Sequence, residues 1–367
     1  MSDRVGRREA ARLLMSRRQF AESAMVVRPQ GLRNSILAGF QAALTVAIAL
    51  PLVQLSPWSA LLGYAWLGAL VALFGRFAPK ARRNVVVVYA ALCQVSSLAI
   101  MSIASLAGVP TAGLLLVLAL LGGLYFIAST VGRFGPPGPL IFMFSGMAGM
   151  NAPASLQDLG LRVLMASAVA TLAIVVCAVT EALRAKEDVA GPSQRYSVRQ
   201  QLQPLWPTAG RIAGGALIAG WIAHAVGVAH PGWAAMGAVA VLQGVHLHVT
   251  LNRALQRVAG TVIGAVLIWI ILSQSPSVWA GIALLFLLQW MTEAAIGYNY
   301  ALGQMFVTPM ALLMTYLASP ATAGAEMAPE RVLDTLLGAV IAVVLAVIFS
   351  PGHDRRELAK RHVRISA

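Results

Sequence analysis

Between residues 35 and 350 the chain is a succession of apolar runs, broken only by short clusters of Pro, Gly, Ser and charge, and this pattern limits its fold more than any other feature. Twelve segments can be marked, at 35–54, 58–75, 84–107, 111–130, 137–151, 161–183, 210–228, 232–248, 257–273, 277–294, 299–318 and 332–350. Breaks such as Ser56-Pro57, Val109-Pro110 and Ser275-Pro276 carry turn residues. A helix crosses the hydrocarbon layer with about 20 apolar residues. Only 11% of the residues are charged and 59% are hydrophobic, against roughly 25% charged in a soluble domain. Most of the surface must therefore meet lipid. The expected fold is all-α, a polytopic membrane protein of about 12 transmembrane helices in two parallel six-helix repeats. Cys93 and Cys177 sit in apolar runs as small core residues, and no spacing suggests a disulfide framework or a metal site.

Orientation follows from the bases. With residues 1–33 placed in the cytoplasm and each segment crossing once, 25 of the 27 Lys and Arg fall on the cytoplasmic side. Only Arg162 and Arg331 fall outside. This distribution also accounts for the net charge of +14. The bases set topology and meet anionic lipid headgroups, so no nucleic-acid partner is expected. Arg7 to Arg18 reads either as a basic amphipathic helix on the membrane surface or as a disordered tail.

The chain divides into a basic cytoplasmic tail (1–33), a first six-helix repeat (34–183), a cytoplasmic linker (184–209), a second repeat (210–350) and a basic cytoplasmic C-terminal tail (351–367). The two halves match in order: Pro57-Trp58 with Pro231-Gly232-Trp233, Arg83 with Arg257, Met143-Phe144 with Met305-Phe306, and Arg162 with Arg331. Six segments per half is an even number, so both halves start on the same side and the repeats are parallel.

The stretch 230–264, HPGWAAMGAVAVLQGVHLHVTLNRALQRVAGTVIG, resembles the fusaric acid resistance protein-like family, which includes bacterial aromatic acid exporters. The matching features are His230-Pro231 with Trp233, Gln243, the run Arg253 to Arg257, Gly260-Thr261 and Gly264, then Asn299-Tyr300-Ala301-Leu302 and Thr308-Pro309. The first half resembles it less: NVVVVYAAL follows Arg83, with no Gly-Thr-x-x-Gly. The resemblance implies a membrane transport protein; Gln243, as a polar residue near the broken segments, and Trp233, whose ring could stack on an aromatic acid, are candidates for the substrate pathway. The same superfamily resembles plant malate-permeable anion channels, which keeps carrier and channel both in view.

Several side chains are candidates for chemistry. Gly260, Thr261 and Gly264 form a small-residue face for close helix packing. Arg83 and Arg257, at the cytoplasmic start of the third helix of each half, either hold topology or attract carboxylates, for which the planar guanidinium is suited. Gln304, Thr308 and Tyr316 form a polar stripe around Pro309 that is expected to line the pathway. Glu293 and His246 are candidates for proton coupling. Asp158 with Arg162, and Arg331 with Asp334, have the spacing of local ion pairs at the outer face. The fifth segment, opened by Gly135-Pro136-Pro137-Gly138-Pro139, and the eleventh, with Pro309, suggest broken helices at matched positions.

No nucleotide-binding loop, nucleophile elbow or zinc motif occurs, so no catalytic residue, cofactor or metal is expected and ATP drive within the chain is excluded. The leading expectation is an inner-membrane exporter of small organic anions, aromatic carboxylates foremost, driven by the proton gradient or the membrane potential. An anion channel and a non-transporting membrane partner are the alternatives, and a homo-oligomer is left open.

Overall fold

A computed structural model describes residues 6–27, 29, 31–185, 205–244, 246–318, 324 and 326–364. Among these the chain is helical throughout, with no strand. Two short helices, α1 (Arg7–Leu14) and α2 (Arg17–Ala24), precede the membrane segments. Then come α3 (Leu32–Gln54), α4 (Leu62–Ala69, extended by short tight turns to Ser59–Leu73), α5 (Lys80–Leu106), α6 (Thr111–Val131), α7 (Pro139–Ala148) and α8 (Leu156–Val179). The second half holds α9 (Trp206–Ala225), α10 (Pro231–Leu242), α11 (Leu247–Ser273), α12 (Val278–Ile296), α13 (Tyr300–Ala318) and α14 (Met327–Ile348), followed by α15 (Gly352–Arg364). Each of the twelve apolar segments is a helix, and eight of these helices are long and apolar enough to cross a membrane. Most of the expected linker, residues 186–204, lies outside the described residues.

At 1.5 Å per residue, α7 with 10 residues rises about 15 Å and α10 with 12 residues about 18 Å. Neither bridges a hydrocarbon layer of about 30 Å. Their ends therefore stop inside the protein, where irregular backbone is tolerated only against protein or a water-filled space. Gly135 and Gly138 adopt left-handed backbone in the loop leading into α7, a conformation open to glycine without steric cost. Arg211 on α9 donates to the carbonyls of Leu242 (3.4 Å) and Gly244 (3.2 Å), satisfying the end of α10.

Neighbour relations recur between the halves. α4 packs on α8 as α10 packs on α14, and α5 packs on α7 and α8 as α11 packs on α13 and α14. Across the halves, α3 lies against α12 and α9 against α6, a reciprocal exchange. The α11–α13 contact is the closest kind: a Cβ on Gly264 would sit 2.8 Å from the Met305 carbonyl oxygen, and one on Gly260 would overlap the Ala301 carbonyl oxygen. Backbone cannot move aside as a side-chain tip can. Gly260→Val should therefore lower stability by about 1–3 kcal/mol, seen as an earlier thermal melt, while Gly214→Ala, which meets nothing within 4 Å, should not.

The N-terminal tail is neither one continuous helix nor free. It breaks at Met15–Ser16 because Ser16 caps the second helix, accepting from the Gln19 amide. α1 buries Ala10 and Leu14 and packs against α15, so both described ends of the chain meet on one side.

Candidate functional site

A cavity of about 900 Å³ lies between the halves. Its wall is mostly apolar and aromatic, with Trp66, Leu70, Phe126, Phe144, Trp233 and Met310. Five arginines line it, Arg76, Arg133, Arg253, Arg257 and Arg331, and among the described lining residues Glu293 is the one acid. Its mouth is at the side where α1 and α15 meet. There Arg133, Gly135 and Pro136 are exposed, and Pro29, Asn252 and Gln256 contribute to the rim. Trp233, Met236 and Ala311 close the far end with Leu140, Phe144 and Met147 packed on them. The Phe144 and Trp233 rings are 5.3 Å apart.

Arg257 is not at the mouth. α11 begins ten residues before it, which places it roughly 15 Å along the helix. It is 2% exposed, and its Nη1 donates to the Tyr300 hydroxyl (2.9 Å) and Gln304 Oε1 (3.3 Å). Its Nε and Nη2 have no hydrogen-bond partner among the described residues. Trp233, Gln243, Gln304 and Glu293 also line the cavity. Of the polar stripe on α13, only Gln304 faces it. Thr308 is buried behind, accepting from Gln304 Nε2 at 3.3 Å, and Thr261 accepts from the same nitrogen at 3.4 Å. Pro309 packs against Gly264, and Tyr316 is half-buried away from the lining. The stripe bends inward against α11 because the glycines let that helix approach the polar side chains first.

Arg83 does not line the cavity either. Its guanidinium donates to Glu181 (2.5 Å), Gln41 Oε1 (2.6 Å) and the Cys177 carbonyl (3.3 Å). Glu293 is paired with Arg76, which also donates to the Pro136 carbonyl. His246 lies on the surface, with Nδ1 3.1 Å from Asp354 Oδ1 and its ring stacked on His248. Asp158 and Arg162 pair as their spacing predicts, at 2.8 Å. Arg331 and Asp334 do not: Arg331 turns inward, its guanidinium 3.6 Å over the Trp233 ring, and none of its nitrogens has a hydrogen-bond acceptor. Gln289, whose amide atoms are likewise unpartnered, is a further lining residue that sequence reading missed.

No solved structure matches the chain. The profile of the fusaric acid resistance protein-like family matches residues 218–345. The uncharacterized membrane protein YvaC of Bacillus subtilis (strain 168) is 36% identical over 125 residues, a stretch that covers 33% of this chain and 19% of that relative. The matched residues carry α10 to α13, most of the cavity's second wall, together with Arg331. Residues 218–345 of this multi-helix membrane protein are thus of the fusaric acid resistance protein-like family.

Proposed function

We propose that the chain exports small organic anions, aromatic carboxylates foremost, across a bacterial inner membrane. Both termini face the cytoplasm, and about twelve helical segments form two parallel six-helix repeats. The observation that carries this reading is the cavity itself: aromatic walls, five arginines and, among the described residues, a single acid. Aromatic side chains suit an aromatic ring, and guanidinium groups suit a carboxylate. The recurring neighbour pairs support the repeats. The base-rich ends gathered at the cavity mouth support the orientation. Exposed Met15, Phe20, Met25, Val26 and Val27 beside the bases of α1 and α2 support contact with an anionic lipid surface.

An inside-negative potential favours anion exit by about 2.3 kcal/mol per charge per 100 mV. Proton coupling falls to Glu293, the acid an incoming anion would release by taking Arg76. A cavity open at one end and plugged at the other favours a carrier over an open pore. The purified protein in liposomes should move radiolabelled benzoate with saturation and with counterflow, and Arg257→Gln should raise the KM several-fold at normal abundance. Linear, non-saturating benzoate current would show a channel instead, and absence of any benzoate flux would sink the transport reading.

A further inference from the structure

We infer that Arg331 and Arg257 together form a single anion-binding subsite at the deep end of the cavity, and that the matching place in the first half binds no anion. The inference rests on the anion-transport reading and names the group that holds the carboxylate.

Arg331 is 1% exposed, and among the described residues its Nε, Nη1 and Nη2 are all without an acceptor. Asp334, one turn on, forms no ion pair with it, and the Asp334 Oδ1 is itself unpartnered. Arg257 lies within electrostatic reach of Arg331 and keeps two guanidinium nitrogens free. Two buried cations close together, with no bonded carboxylate, form a costly arrangement in a low-dielectric site. Asp334 acts on Arg331 through space without bonding to it, and an anion placed between the two arginines would relieve both directly. A carboxylate offers two oxygens and about four lone-pair sites, matched to five N–H groups on a planar fork. Trp233 covers the face of the Arg331 guanidinium and leaves its in-plane donors free. Gln289, fully buried with both amide atoms unpartnered among the described residues, is a further polar group on the same cavity wall.

The first half supplies the contrast. Arg83 stands 174 residues before Arg257 and Arg162 stands 169 before Arg331. Arg162 also lies over a ring of its half's second segment, Tyr64, at 5.1 Å. Yet Arg83 carries Glu181 at 2.5 Å, and Arg162 carries Asp158 through two bonds of 3.2 and 2.8 Å. Neither lines the cavity. The acids that neutralise the first pair have no bonded counterpart on the second. The chain therefore binds one anion, in its second half.

The test uses the full chain in nanodiscs, with benzoate as probe and benzamide as its neutral analogue. Thermal melting and equilibrium dialysis give affinity and stoichiometry. Benzoate should bind once per chain and raise the melting temperature, and benzamide should do neither. Arg331→Met should weaken benzoate at least 30-fold. Without ligand it should melt no lower than the wild type, because it removes an unpaired buried charge and keeps an apolar contact with Trp233. Arg162→Met should show the reverse: an earlier melt, since Asp158 loses its partner, and unchanged benzoate affinity. Wild-type affinity in Arg331→Met would overturn the subsite and leave the transport reading standing. A much earlier melt of Arg331→Met would overturn it too, by making Arg331 a structural brace. Benzoate neither bound nor carried by the wild type would overturn both.

Discussion

Glu293→Gln should destabilise the fold by about 3–5 kcal/mol, because it leaves a buried guanidinium without its counter-charge. Arg76 and Glu293 each expose 4% of their side chains. They join a loop of the first half to α12 of the second, 217 residues apart in sequence. With the carboxylate gone, Arg76 keeps only the Pro136 carbonyl, and its Nε has no acceptor. Adding Arg76→Met to the same chain should recover most of the loss, since buried ion pairs are often replaced by apolar groups without penalty. Melting of the two variants in detergent checks this. Benzoate bound at Arg331 and Arg257 should raise the melt of the single variant as it raises the wild type's. At about 100 times its Kd a ligand adds roughly 2.7 kcal/mol. If Glu293→Gln melts with the wild type, the pair contributes nothing to stability.

Arg83→Gln should also cost about 3 kcal/mol or more, and benzoate should raise its melt by no more than it raises the wild type's. Arg83 is 1% exposed and ties α3, the end of α8 and Glu181 into one knot. Burial alone would raise the pKa of Glu181, but hydrogen bonds from Arg83 and Arg184 hold it below its usual value. A depressed carboxylate contributes stability that is present above its unfolded pKa of about 4.3 and is lost as pH falls through the folded value. The wild type should therefore loosen in acid below about pH 4, and Arg83→Gln should have lost part of that acid-sensitive increment already. Abundance and melting as a function of pH read both effects. Arg257→Gln is the control: it should fold normally and transport poorly. Equal melting of Arg83→Gln and wild type would show that the matched arginines share one role after all.

The existence and order of the helices could be read from hydropathy, because lipid demands long apolar runs whatever the tertiary packing. Helix starts could not. The expected ninth segment began at 257, but α11 begins at Leu247. The intervening Asn252, Arg253 and Gln256 look like loop residues to a hydropathy scale, yet they are helical and face the cavity rim. Trp233, Gln243, Arg257, Gln304 and Glu293 were singled out from residue type and spacing and share one cavity. Arg331 was not, because Asp334 at helical spacing offered a local partner. What turns Arg331 inward is non-local. Gly338 lets α14 press against the Ala234 carbonyl of α10, which carries Trp233 over the guanidinium. No pattern within either helix encodes that crossing.

The depth of the cavity decides where an electric field would act. On the proposed orientation, water reaching from the mouth toward Arg331 would carry the cytoplasmic potential inward with it. Arg331 is the fifth residue of α14, roughly 6 Å along the axis from the helix end opposite the mouth. The insulating layer is therefore thin there, little more than the plug of Phe144, Trp233 and Met236. On that reading most of the voltage would fall across those few side chains. An anion held by Arg331 would have travelled most of the membrane's thickness while crossing little of its potential. Voltage would then act on the last step, parting the aromatic plug and letting the anion go, and hardly at all on its capture.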